Sequence, residues 1–519
     1  MKRTRRRALS ILLSAAMVLS LSCVGAFAAD TTLVITDVTT DKTTTTSAAT
    51  HVTAVTYTEN GEEKTVTAAA DEVLTLVVNG VQRDIAAGAT FTGVESYSFT
   101  DTAVRNSGSG APPWEPGATP AEFNFRQALL VTADGIDQDA SVTDAISGTY
   151  DDTSAKDVAV TSEGDFFNGI YVSGAQYAID GLKMSMKGDG GNDFGGWGAG
   201  LMADGEADVT VDNAVIDTAG VIRTAIWAGG DADLTVTNSV ISAYESLSSQ
   251  EEYDALVVPM MKRTPFALGM EGVVRATNVL GSATATYEDS IVVSSGWGAL
   301  STDSGTGHDT TGEYALTVRN TLGGIGTVEV AQKGKDYTLT KEVNGVTYGF
   351  TMGGSGYVAY ADAGVWDKFE NVQFYTPDYV QIMASSTSSA FYTDSDLHSG
   401  RIAFMTQQNA GGTLSVKDSS VYAEDTVVQI KSGAANKGYT NVEFDNVDVT
   451  LGDTNPWGGT LIELVESDDA GNPGVTTYTV NDTGDTATRA TSRGDINDSN
   501  ATLRNGAYTG NIWNNIYNY

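Results

Sequence analysis

Two arginines stand in near-identical settings, Arg223 in "GVIR" and Arg275 in "GVVR", 52 residues apart. A guanidinium is a planar fork of donors that fits carboxylates, so two on one face would grip an acidic sugar chain. The plainer alternative pairs each with some of the chain's 66 acidic residues. Asp189 and Asp193, in "KGDGGNDFGGWGAG" (187–200), offer the hard oxygens that calcium takes. The same stretch carries Trp197, and its "GWGA" returns at 296–299 with Trp297. An exposed indole would give a sugar ring a flat face, whereas a buried one would close its own loop. Hydrolysis of a glycosidic bond needs two carboxyls at a fixed separation. The adjacent pairs Asp151–Asp152 and Asp468–Asp469 both fall in expected loops, and His51, His308 and His398 lack catalytic surroundings. No phosphate-binding loop, metal-spaced Cys/His cluster or Ser-His-Asp arrangement is present.

What would position these residues is a repeat. "ADVTVDNAVID" (207–217) comes back as "ADLTVTNSVIS" (232–242), 25 residues on. The pattern is apolar, x, apolar, x, then Asn, Asp or Gly, with another apolar residue three further on. Its polar pivots fall at Gly181, Asn213, Asn238, Asp289, Asn371, Asp394, Asp418 and Asn446, with looser copies at Asn320, Asp482 and Asn505. Two intervals of 51 residues read as double turns, which brings the mean period to 27. A fixed period of this size marks a solenoid. Alternation gives strands with one buried face, too short to stand alone. Stacked coil on coil about 4.8 Å apart, they would pair every backbone group. Asn, Asp and Gly tolerate the left-handed bend, and stacked Asn side chains can bond in a ladder. The expectation is all-β: a right-handed parallel β-helix of twelve or more coils with an N-terminal β-rich cap. On that period Arg223 and Arg275 lie two coils apart.

The phrases "DLTVTNSVISA", "GTLSVKDSSVY" and "TNVEFDNVDVTLG" resemble coils of the pectate-lyase-like β-helix superfamily. The run "PFALGMEGVVRATNVLGSATATYEDSIVVSSGWGALSTD" (265–303) is similar to secreted Gram-positive β-helix proteins without an assigned activity. The likeness covers roughly residues 160–470 and speaks for fold, not reaction. It implies a groove in which acidic residues hold calcium and an Arg or Lys acts as base. The lyase motifs with flanking His or Pro are absent, as is the hydrolase Gly-His-Gly. The 187–200 stretch resembles, once only, the Gly-Gly-x-Gly-x-Asp calcium repeats, and reads as a loop thrown out from a coil. "RGD" (493–495) is a chance tripeptide, and "GDINDSNATL" matches only the start of a dockerin calcium loop.

The chain opens with five basic residues, an apolar stretch and Ala26-Phe27-Ala28, the order of a secretory signal cleaved after Ala28. Its removal leaves 24 basic against 66 acidic residues, a net charge of −42, and takes away the only cysteine, Cys23. Such a surface repels nucleic acid and anionic lipid. No later segment is long and apolar enough to span a bilayer. Residues 29–160 read as a leader or strand followed by the cap, 161–465 as the coils, and 466–519 as irregular final coils or a truncated C-terminal extension. The last residues, "NIWNNIYNY", carry no polar cap, as expected of a piece of a longer surface protein. The reading is therefore a secreted or cell-surface protein, adhesin-like, presenting loops to glycans or cells. The alternative is a lyase or hydrolase working on acidic polysaccharide.

Overall fold

The computed structural model describes residues 31–41, 51–103, 105–107, 123–246, 272–303, 314–385, 387–408, 411–431, 439–454, 458–465, 475–479, 486–490 and 499–514. The signal segment 1–28, His308, Asp468–Asp469, Asp482 and the tripeptide 493–495 lie outside them. The fold is all-β, with a three-residue helical turn at Thr143–Ala145.

The repeated phrase is one level resting on the next. Asp208–Asp212 pairs in parallel with Asp233–Thr237, Val209 beside Leu234 and Val211 beside Val236. After the pivot, Val215–Ala219 pairs with Val240–Tyr244 in the same 25-residue offset. Alternation sends Val209, Val211, Ile216, Leu234, Val236 and Ile241 inward, each at most 1% exposed. Burial of each such side chain contributes about 1.5–3 kcal/mol. A third strand completes the level: Leu201–Asp204 pairs with Phe167–Ser173 before it and Ile226–Ala228 after it. Three columns of mostly parallel strands thus run in a ring around an apolar interior. The column through Leu201–Asp204 is a 14-stranded sheet; its two antiparallel edge pieces, Arg105–Ser107 and Gly135–Ile136, leave twelve stacked strands.

The pivots are where the bend demands them. Gly181 has φ 77°, Asn213 56°, Asn238 48°, Asp289 52°, Asn320 47° and Asn371 53°, all in the left-handed region. The amide ladder forms in part, Asn371 Nδ2 donating to Asn320 Oδ1 at 2.7 Å and Asn446 Nδ2 to Asp418 Oδ1 at 2.7 Å. A second ladder went unread in the sequence. Ser239, Ser290 and Thr321 follow their pivots, and their hydroxyls accept the backbone N–H of the preceding level at 3.0–3.3 Å. Each hydroxyl also donates to the carbonyl two residues back, at 2.6–2.7 Å. The bend, where strand pairing lapses, is stitched by side chains.

The double-turn reading is corrected. Asp233 pairs directly with Thr284, and Leu316 with Asp367, so each 51-residue step is one level plus an excursion. The excursion after Asn320 is visible: Leu322–Val330 runs out of its column and meets the hairpin Leu339–Val343/Val346–Met352. The hairpin turns at Asn344-Gly345, both with positive φ, the pair that a two-residue turn favours. Val343 and Phe350 close over Val240, Ile291, Val293 and Leu322, apolar residues on the column's outer face.

Before the stack, Thr32–Thr40, Val52–Glu59, Glu62–Thr67 and Thr90–Thr92 form an antiparallel sheet with its own core, including Leu33, Val55, Tyr57 and Tyr97. Within the stretch read as a leader or a strand, Thr32–Thr40, Val52–Glu59 and Glu62–Thr67 are strands. The stacked columns already include Phe123–Thr132 and Ser154–Ser162, ahead of the boundary expected at 161. The cap meets them where Gln82 pairs with Ser162.

Candidate functional site

Arg223 lies just after its column's bend and is completely buried. Its Nε donates to Gly188 O at 2.6 Å, Nη1 to Phe167 O at 2.8 Å and Gly198 O at 3.2 Å, and Nη2 to Gly164 O at 2.7 Å and Asp189 O at 3.0 Å. Every donor serves a backbone carbonyl, so the side chain ties neighbouring levels together. Burial lowers its pKa to about 10, against the pull of Asp165, Asp189 and Asp84, and it stays charged at neutral pH.

The 187–200 stretch does not stand away from the coil. Gly190 is so close to the next level that a Cβ there would lie 2.0 Å from Ile222 O. Asp189 Oδ1 accepts Val221 N–H at 2.8 Å. Trp197 is 3% exposed and stacks on Phe125 at 5.9 Å. Arg275 reaches in from two levels on, its Nε 2.9 Å from Asp193 Oδ2 and its Nη1 paired with Asp303. The guanidinium sits 4.2 Å over Trp297 and 5.1 Å from Phe194. Trp297 is 2% exposed. Burial, helped by Asp303 and opposed by Arg275, pushes the Asp193 carboxyl up to about 6.

These positions correct several expectations. Ile226 pairs with Thr277, so Arg223 and Arg275 are one level apart, not two, and neither lines an open groove. Neither indole is presented to solvent. Asp189 Oδ1 is taken by a backbone amide, and Asp193 Oδ2 faces Arg275. Among the described residues no group of three or more His, Cys, Asp or Glu is placed to hold a metal. Asp151 caps its own turn through Thr153 and Ser154 N–H, and Asp152 accepts Ile136 N–H, both at 2.9 Å.

A carboxylate staircase joins cap to stack. Asp84 accepts Asp165 N–H at 3.2 Å, and Asp165 accepts Asp189 N–H at 2.7 Å. Burial and then Asp165 push the Asp84 carboxyl up to about 6, against the pull of Arg126 and Arg223. An acid whose pKa rises on folding holds its proton while the unfolded chain releases one, so its effect on stability becomes less favourable as pH rises from about 4 to about 6. Urea midpoints across that window should fall less steeply in Asp84→Asn than in the parent; identical slopes would remove Asp84 from the account.

The surface offers a different site, one the sequence reading missed. An open groove of about 470 Å³ runs along the turn row, lined by Asn320, Asn371, Gln373, Asp394, Asp396 and Asp418, with Lys341 of the hairpin on its rim. Lys341 is half-buried, which lowers its pKa against the pull of Asp289. Tyr375 and Ser420 hydroxyls hold Asp396 at 2.7 and 2.6 Å. Tyr375, His398 and Tyr422 stack in sequence, centroids 5.1 and 4.4 Å apart. On the strand side of the turn row, half-buried Tyr314, Trp366 and Phe391 form a patch with centroids 5.5–6.3 Å apart. Lys368 lies 5.8 Å over Tyr314 and pairs with Glu370 at 2.7 Å, which also pairs with Arg319 at 2.9 Å. The three rings occupy nearly the same place in three successive levels, the signal that could have found them.

Compared with protein-family models, with curated proteins and with solved structures, the chain matches none.

Proposed function

We propose that this is an exported surface protein that binds glycans without cleaving them, adhesin-like, on a right-handed parallel β-helix of the pectate-lyase-like kind. The signal-like first 28 residues and the acidic composition support export. The parallel columns and left-handed pivots support the helix. The observation that carries the binding reading is the outward patch Tyr314–Trp366–Phe391 beside a polar groove. Aromatic faces next to amides and carboxylates are the ordinary equipment for sugar rings, which are apolar on their faces and hydroxylated at their edges.

The lyase or hydrolase alternative loses support because both of its arginines are spent on intramolecular partners. The experiment is binding to a panel of oligosaccharides by calorimetry, with product analysis on the same samples. Trp366→Ala should weaken binding by about tenfold, the loss of one stacking contact of about 1.4 kcal/mol. Unsaturated products or new reducing ends would overturn the non-catalytic reading.

A further inference from the structure

The groove has a chemical preference written into its walls. Asp394, Asp396 and Asp418 face one cation, Lys341. Among the described residues the Asp394 carboxylate makes no hydrogen bond or ion pair, and Lys341 has no carboxylate within ion-pair distance. Asp396 is fixed by two hydroxyls, and Asp418 accepts from Asn446 at 2.7 Å. The site is thus acidic, partly preorganised and open on the side a ligand would approach. Thr393 pairs with Lys417, which sets Asp394 and Asp418 on consecutive levels.

We propose that the groove takes sugar chains bearing free amines, that is, de-N-acetylated hexosamine polymers, in place of acidic or acetylated ones; this rests on the glycan-binding reading above. An ammonium turned toward the groove donates to Asp394 and Asp418 on its two levels, and such charge-assisted bonds are stronger than those a neutral hydroxyl or acetamide can make. Uronic acids are excluded by the same carboxylates and by a chain with 66 acidic against 29 basic residues. The groove's lining holds no aromatic ring, so it discriminates by charge, while the Tyr314–Trp366–Phe391 patch supplies the apolar contact.

The test uses the whole secreted protein with four probes: glucosamine hexamer, N-acetylglucosamine hexamer, a galacturonate oligomer and oligolysine. The glucosamine hexamer should bind at least about tenfold tighter than the other three and weaken as salt rises. Asp394→Asn with Asp418→Asn should lower that affinity by about tenfold and flatten the salt dependence. Both are exposed pivots with positive φ, a conformation asparagine tolerates, so the fold survives the change. Equal binding of the acetylated hexamer, unaffected by the double variant but weakened in Trp366→Ala, would overturn the amine preference and leave glycan binding standing. Preference for galacturonate, or oligolysine binding as well as the sugar, would also overturn it. Binding of none of the sugars would sink both readings.

Discussion

Arg223→Met is expected to lower the stability of the stack by about 5 kcal/mol, at the upper end of single-residue effects. The side chain bonds five carbonyls, those of Gly164, Phe167, Gly188, Asp189 and Gly198, where water does not reach. A thioether of similar length fills the space and leaves several of these oxygens without a donor, at about 1–3 kcal/mol each for those not otherwise paired. Arg223→Lys should recover little, because three donors on one point cannot span the fan that a guanidinium covers. The measurement is the urea midpoint at neutral pH with the transition slope monitored. A loss under about 1 kcal/mol would mean that the carbonyls find other partners.

Arg275→Met should cost about 3–5 kcal/mol, by a different route. Here the injury is the two carboxylates left behind, since Asp193 and Asp303 face each other in a site where Arg275 is 4% exposed. Asp193→Asn should cost much less, because burial already favours the neutral acid, with a pKa of about 6, and Asp303 still balances the guanidinium. The sign of the pH response separates the two. In Arg275→Met the loss should ease on acidification below about 6, as the stranded Asp193 takes up a proton. Unfolding curves at pH 5 and 7.5 would show it. A penalty that does not change with pH would instead assign the damage to lost packing over Trp297.

The strands and bends were legible because each depends on few neighbours. Alternation names the inward residues, and a left-handed bend admits few residue types, so Asn213, Asn238, Asp289 and Asn371 could be placed from the sequence. The 51-residue steps were misread because an excursion and a second turn have the same length; only pairing partners such as Asp233 with Thr284 tell them apart. For Trp197 and Trp297 the sequence left two readings open, an exposed platform or an indole closing its own loop, because glycine-rich stretches are usually surface loops. Here the glycines do the opposite: they let residues 188–200 lie directly on the next level. Tyr314, Trp366 and Phe391 come from three levels, and their proximity exists only once register is known. The fold is thus coded locally, whereas the site is coded across levels.

The hairpin over 339–352 carries one more implication. The chain rejoins its column in register after 51 residues just as it does after 25. The scaffold therefore absorbs 26 further residues (51 − 25) between pivots without losing register. The interior strands on either side of such an excursion pair as directly as those of uninterrupted levels, so the outer shape of the stack is set by what leaves it and its core is not.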